Sequence, residues 1–489
     1  MTHPFDQSTI IAQWPKHHCF TIGDSLAGGL FCSGQTSAGK SSAVLKYTVM
    51  GMLQADYALV FLTVKREDAA QYLRWAKEAG RECDVVFFDA SGRHRFNFLE
   101  WEAQRDDGAG KVINITALLY DIARAVAGGA GAEGHASGDA RFFDGVLHLF
   151  LTVLVALAIA SGEEMSVPLL RRLADGAAKN LTELHSREWK ENSPHSALLT
   201  RLSEAEASMD ANARADLAEI FTFFTSTWPA LSDRTKSIVD IMWSRLVQPF
   251  MFAPLRDAFT TYSTVTPDQA FEEGKIVIVD LPAQLGLAYR MGGLIWKICF
   301  QTAALRRVNR TGQPLRPACL VMDEAQNFLQ GPGITGGGDA AFAAVSRSSA
   351  ASMIILLQNL PLMRSAMGDD DACRALLGNL TTKIACANSD AETNRFFSEL
   401  VGSRWIDVTT RNVGQSLGRS GDDSHLNGGS SRTPQKRAWI EPEAFNELMR
   451  GGPAFGHRVS AIVHRGTMFD QGDGEPPAPF LKLVFNQLR

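Results

Sequence analysis

Gly34-Gln-Thr-Ser-Ala-Gly39-Lys40-Ser41 lies between a brief apolar run, Gly29–Cys32, and a segment patterned as a helix, Ser41–Leu53. The spacing is GxxxxGK[ST], a phosphate loop with a strand before it and a helix after it, the context that motif requires. Its glycines let backbone N–H groups turn inward around a β-phosphate, at the positive end of the following helix. Lys40 reaches β- and γ-phosphate oxygens, and the Ser41 hydroxyl ligates Mg²⁺. Gly34, Gln35, Thr36, Ser37, Ala38, Gly39, Lys40, Ser41 and Ser42 are therefore the expected nucleotide-binding residues.

Outward from this loop, short apolar runs alternate with amphipathic segments. Tyr57–Thr63 and Asp84–Phe88 read as buried strands, and Ala69–Ala79 as a helix between them. Such alternation predicts a parallel sheet with helical crossovers. From Ala140 to about Pro254 no strand pattern occurs, and the expected helices are Arg141–Ala160, Val167–Ala174, Ala197–Ala207, Ala213–Phe224 and Ser232–Leu246. Gly128–Gly138 reads as a flexible hinge into this block. Strand signals return at Lys275–Asp280, Ala318–Met322, Ser352–Leu357, Thr382–Cys386 and Arg458–Val463. The expected fold is thus α/β, a central parallel-rich sheet interrupted by an inserted all-α domain. Its parts are residues 1–135, the insert 136–262, and 263–489. Two further segments, Gly331–Asp339 and Arg411–Arg437, read as mobile loops from their Gly, Ser and Asp content.

The partner of a phosphate loop is an acid ending a buried strand. Ala318–Met322 is such a strand, followed by Asp323 and Glu324. Asp323 is expected to hold the metal with Ser41, and Glu324 to polarise the attacking water. Asp280 is a rival acid but lacks an adjacent glutamate. Ser352–Leu357 ends in Gln358, whose carboxamide can donate to phosphate and accept from water. A kinase-type catalytic motif and an NKxD guanine-recognition element are both lacking. These residues in this order point to an ATPase of the RecA-like type, with ATP and Mg²⁺ as cofactors.

Composition narrows the class. Hydrophobic residues are 45% and charged residues 21% of 489, a globular balance, and the formal charge of −5 excludes a uniformly basic coat. The seven cysteines contain no CxxC pair, which fits a reducing cytoplasm. No signal peptide opens the chain, and Val146–Ala160 reads as a buried helix, too short to cross a bilayer. No HxxxH or HExxH pair supports a further metal site. Trp228 and Trp243 are expected in the core of the helical block. Arg306, Arg307, Arg310 and Arg316 form a basic cluster that could track phosphates or simply face solvent, and Arg432–Arg437 (RTPQKR) could reach a pore or a partner.

With these residues in place, the chain resembles the TraG/TraD-type type IV coupling proteins, within the HerA/FtsK group of DNA-translocating ATPases. The resemblance rests on GQTSAGKS, Thr63-Val-Lys65-Arg-Glu, Arg95-Phe-Asn97-Phe-Leu, GKIVIVDLP at 274–282, VMDEAQ at 321–326, Gln358 and Leu376-Leu-Gly378-Asn379. It implies a homo-hexameric ring of RecA-like domains that moves DNA through its pore without sequence preference, in conjugative transfer, with relaxosome or secretion-system proteins as partners. It also implies an arginine reaching into a neighbour's ATP site. Arg347 occupies the matching place, and Arg404 is the weaker rival. The family's transmembrane helices have no counterpart in this chain, so the resemblance implies a cytoplasmic protein, peripheral at the inner membrane. Two other readings stand beside it: a HerA-like motor of repair or phage defence, and an ATP-switched platform that recruits protein without pumping DNA.

Overall fold

The computed structural model describes residues 5–105, 110–127, 138–307, 315–332, 338–417, 424–472 and 474–488. Most of the hinge expected at Gly128–Gly138, and Arg310, lie outside the described residues.

The described residues form thirteen strands: β1 (Ile10–Gln13), β2 (Cys19–Thr21), β3 (Leu30–Ser33), β4 (Ala58–Leu62), β5 (Val85–Asp89), β6 (Ile276–Asp280), β7 (Ala318–Met322), β8 (Ala351–Leu357), β9 (Thr382–Ala385), β10 (Ser403–Leu417), β11 (Ser424–Ala438), β12 (Arg458–His464) and β13 (Leu481–Asn486). Nine of them make one sheet in the order β13-β12-β9-β3-β8-β7-β4-β6-β5. From β9 to β5 every neighbouring pair is parallel, and β12 and β13 add an antiparallel edge. The central strands β3, β4, β7 and β8 are buried at every residue. That is why they read as unbroken apolar runs: helices cover both faces of a parallel sheet. The expected RecA-like α/β fold is the one observed.

Between β5 and β6 the described residues are helical or irregular, without a strand. Helices start where the sequence supplies a capping oxygen. Ser166, Asn180, Ser186, Ser193, Asp210 and Ser232 each accept an amide hydrogen of the first turn. The helix Gly138–Ser161 is the spine of the block. Its stretch Phe142–Ser161, 20 residues, is long and apolar enough to cross a membrane by length and composition. The helix expected at Arg141–Ala160 is observed, and its apolar stretch extends four residues further toward the N-terminus than the Val146–Ala160 run. One face of this helix packs inward, where Phe150 meets Trp228 at 4.5 Å and Trp243 at 6.4 Å between ring centres. Both tryptophans are core residues, as expected.

Two sequence expectations are corrected. Arg411–Arg437, read as a mobile loop, instead supplies most of a long antiparallel ribbon, with β10 and β11 paired from Ser403↔Ala438 to Leu417↔Ser424. Glycine and serine content reads as loop there, and only the strand pairing reveals the ribbon. The three described arginines of the basic cluster after the helix Leu287–Arg306 are engaged within the fold rather than forming a free basic face. Arg306 binds both carboxylate oxygens of Glu102 at 2.8 Å and lies 5.2 Å from the Trp101 ring. Arg307 is buried, donates to the Arg316 carbonyl and covers Phe271, while Arg316 pairs with Asp56. These guanidiniums tie the edge of the sheet to its helices.

Candidate functional site

In a parallel sheet, loops at the carboxyl ends of adjacent strands converge. Here β3, β8 and β7 are neighbours, so the loop after Ser33, Gln358 after Leu357, and Asp323-Glu324 after Met322 meet at one edge. The phosphate loop leaves β3 and enters the helix through wide π-type turns, Lys40–Leu45, before a regular helix at Lys46–Gln54. Departures of this kind concentrate at functional sites. Gly39 has φ +81°, and a Cβ there would lie 2.3 Å from the Val459 side chain of β12. At Gly34 a Cβ would come within 2.7 Å of the Cys386 side chain. Both glycines are thus demanded by the fold around the loop, besides any ligand.

Lys40 is buried, and its Nζ donates to the carbonyls of Gly34 at 2.7 Å and Gln35 at 3.2 Å. No acid pairs with it among the described residues. The Ser41 hydroxyl donates to Asp323. Burial pushes the Asp323 carboxyl above its ordinary value, the Ser41 hydroxyl opposes that shift, and nearby Glu324 reinforces it. Glu324 occupies the left-handed region at φ +53°, a conformation a non-glycine residue keeps only when its surroundings impose it. Its carboxylate accepts from Gln326 at 2.9 Å and from Gln358 at 3.3 Å, and Lys65 approaches to 3.8 Å. Thr36, Ser37 and Ser42 are exposed, Gln35 is half-buried, and Ala38 is buried. The Ser42 hydroxyl accepts from Gln487 at 2.7 Å.

The structure therefore brings Lys40, Ser41, Asp323, Glu324 and Gln358 together and leaves three residues elsewhere. Asp280 ends β6, two strands from β7, and sits opposite Asp89. Burial raises its carboxyl, and the Asp89 charge adds to the effect. Arg347 lies in the turn Ser346–Ser349 that leads into β8, exposed to solvent. β8 then runs seven residues before Gln358, so Arg347 stands about 20 Å from its own chain's site, at the opposite edge of the sheet. Arg404 lies at the base of β10, with its guanidinium 4.4 Å from the Trp439 ring centre.

Sequence reasoning missed the residues that hold Gln358 in place. The Ser33 hydroxyl and the Asn388 amide both donate to the Gln358 carbonyl, at 3.1 and 2.9 Å. Their signal, a polar residue ending β3 and another just past its neighbour β9, is visible only once the strand order is known. Lys65, quoted only as part of the Thr63–Glu67 resemblance, stands beside Glu324 in the structure. Asp68 accepts from the backbone amides of Val64 and Lys65, at 2.9 and 2.8 Å, and fixes that turn.

Residues 317–450 match the family model described as the TraM recognition site of TraD and TraG. No curated protein is similar in sequence to this chain. Among solved structures, the bacterial conjugative coupling protein TrwBdeltaN70 in its unbound form aligns with a TM-score of 0.58 at 14% identity, over 99% of this chain and 91% of that one. The plasmid coupling protein TrwB in complex with the non-hydrolysable ATP analogue ADPNP aligns at 0.55 and 13% identity, over 99% and 91%. TrwB in complex with ADP and Mg²⁺ aligns at 0.54 and 13%, over 97% and 88%. The chain thus shares the coupling-protein fold, and the resemblance read from its motifs is supported by both the family model and the fold.

Proposed function

We propose that this chain is an ATP-hydrolysing DNA translocase of coupling-protein type, working as an oligomeric ring in conjugative transfer. One observation carries the reading: among the described residues buried Lys40 makes no ion pair, and buried Asp323, near enough to feel its charge, is held only by the Ser41 hydroxyl and the Glu324 amide. A triphosphate with Mg²⁺ fits that donor set, because it brings negative oxygens to Lys40 and a cation to Asp323. TrwB binds ADPNP, and ADP with Mg²⁺, on the same fold.

The roles follow from the contacts. Lys40 exchanges its two carbonyl partners for phosphate oxygens. Ser41 and Asp323, already hydrogen-bonded, would hold the Mg²⁺, which would offset the phosphate charge. Glu324 and Gln358, joined at 3.3 Å, are placed to orient a water, with Glu324 accepting its proton. Bound ATP supplies the phosphoanhydride whose cleavage drives the motor. Arg347 lies too far away to act within its own chain, so we assign it to the neighbouring subunit's site, where it is brought to the leaving charge when subunits close. That requires a ring, and six copies is the number the coupling-protein reading carries. Residues 136–262 are the all-α domain on its face, between the two halves of the RecA-like domain, 1–135 and 263–489.

The test is ATP turnover with and without single- and double-stranded DNA, with mass measured in parallel. A motor turns over faster with DNA and runs as an oligomer. Turnover indifferent to DNA would favour an ATP-switched recruitment platform.

A further inference from the structure

The ribbon β10–β11 is long and basic. Each strand has 15 residues, so the ribbon extends about 50 Å. A two-stranded ladder has no core of its own and is marginal in water. It is tied to the body at its base, where the Trp439 amide donates to Gly402 at 2.9 Å and the Ser398 hydroxyl donates to Ile440 at 2.7 Å.

Cross-strand partners share a face, and alternate residues change face. The register pairs Arg404 with Arg437, Ile406 with Gln435 and Val408 with Thr433 on one face, where Ile406 and Val408 are half-buried. On the other face Trp405 lies opposite Lys436, Asp407 opposite Pro434, Thr409 opposite Arg432, and Arg411 opposite Ser430, and all eight are exposed. Trp405 is 70% exposed, beyond every other tryptophan among the described residues. Arg411, Arg432 and Lys436 have no hydrogen-bond or ion-pair partner among the described residues, unlike the paired arginines at 306, 307 and 316. Three free cations and one acid thus share a face of a chain whose formal charge is −5.

An open tryptophan between free cations suits one class of partner. Backbone phosphates take the cations, and an unstacked base takes the ring. A duplex keeps its bases stacked and leaves the indole unused. An added protein strand is disfavoured as well, because Pro434 removes a donor from β11 and the flanking cations guard that edge. We infer that the Trp405–Lys436–Arg432–Arg411 face of the ribbon binds single-stranded DNA, with Trp405 as a stacking platform and the three cations on phosphates. The inference rests on the DNA reading above and gives it a location.

The experiment uses the full chain and a fluorescein-labelled oligo(dT), with affinity read by anisotropy over a range of NaCl concentrations. The variant Arg411→Ala/Arg432→Ala/Lys436→Ala should flatten the log–log salt dependence by about 2, since each phosphate contact on a single strand contributes about 0.7. Trp405→Ala should bind about tenfold more weakly with the salt slope unchanged, and Trp405→Phe should recover most of that loss. All positions are exposed, so folding is preserved, and turnover without DNA reports it. If wild type binds oligo(dT) and the triple variant keeps its affinity and slope, DNA lies elsewhere; the ribbon assignment falls while the motor reading stands. If wild type binds neither oligo(dT) nor duplex, the DNA reading itself fails and takes the ribbon with it. If the variants alter the oligomer's mass but not the salt slope, the ribbon is a contact between copies and the inference is overturned.

Discussion

Among the four buried lysines of the described residues, Lys297 and Lys40 are treated oppositely. Lys297, on the helix Leu287–Arg306, is fully buried and closed by Asp339 at 2.8 Å and the Phe328 carbonyl at 2.7 Å. Gln301 and the Gln330 amide complete the carboxylate's shell. Lys40, at the carboxyl end of the sheet, has two carbonyls of its own loop and no acid among the described residues. The first region is electrostatically self-contained. The second has no ion pair of its own among the described residues, which is what the proposed nucleotide and Mg²⁺ would supply. Buried charge with its counter-charge is structure; a buried lysine without one, of which Lys383 against the Leu380 carbonyl is another among the described residues, points to a site only where a phosphate-loop sequence surrounds it.

The sharpest way to break this contrast is to ask whether the site is completed from outside its own subunit. Arg347→Ala should bind ATP normally and hydrolyse it about 10³–10⁵-fold more slowly, the range for an arginine supplied in trans. Mixed with Lys40→Ala subunits, also inactive alone, it should regain partial activity, because some interfaces then pair an intact Lys40 with an intact Arg347. Co-purification of differently tagged chains checks that subunits exchange. Exchange without recovery removes Arg347 from the site and turns attention to Arg404.

Within the subunit, Glu324→Gln keeps shape but loses the proton acceptor. It should bind ATP, slow hydrolysis by about 10²–10⁴-fold, and accumulate as an ATP-bound oligomer with an unchanged melting temperature. Normal turnover would move the base elsewhere, with Asp280 the next to substitute.

The self-contained region should respond in stability instead. Lys297→Met strands the Asp339 carboxylate in the core and should cost about 3–5 kcal/mol in chemical denaturation. Lys297→Met/Asp339→Leu should recover most of the loss. Lys40→Met should leave apo stability unchanged or raised while abolishing stabilisation by nucleotide, and equal losses from the two lysines would erase the contrast.

A smaller, pH-dependent effect comes from the helical block. His195 is fully buried, with Nδ1 2.9 Å from the Leu173 carbonyl, and burial lowers its pKa to about 4. Below the unfolded value near 6.5 the unfolded chain takes up a proton that the folded chain refuses. Stability should therefore fall as pH drops from about 6.5 to about 4, by on the order of 3 kcal/mol in all. His195→Leu should flatten that part of the pH–stability curve, and an unchanged curve would place the acid-sensitive group elsewhere.

The sequence alone determined the candidate site residues that the fold brings together, Lys40, Ser41, Asp323, Glu324 and Gln358, and the class of the fold. The loop Gly34–Ser41, the acids after Ala318–Met322 and the glutamine after Ser352–Leu357 are each local signals, because a buried parallel strand writes itself as an apolar run and its functional residue stands at the run's end. The helical block was legible for the same kind of reason: its caps and apolar periodicity are short-range. Only the tertiary structure decided what depends on pairing across the chain. Arg306, Arg307 and Arg316 look like free charge until Glu102, Arg316's carbonyl and Asp56 arrive from other elements. The ribbon β10–β11 looks like a loop until its register aligns Trp405 with Lys436 and Thr409 with Arg432. Ser33 and Asn388 gain a purpose only when strand order sets them beside Gln358. Local patterns carry propensity and motif, whereas the fate of a charge is set by neighbours that composition and spacing do not name.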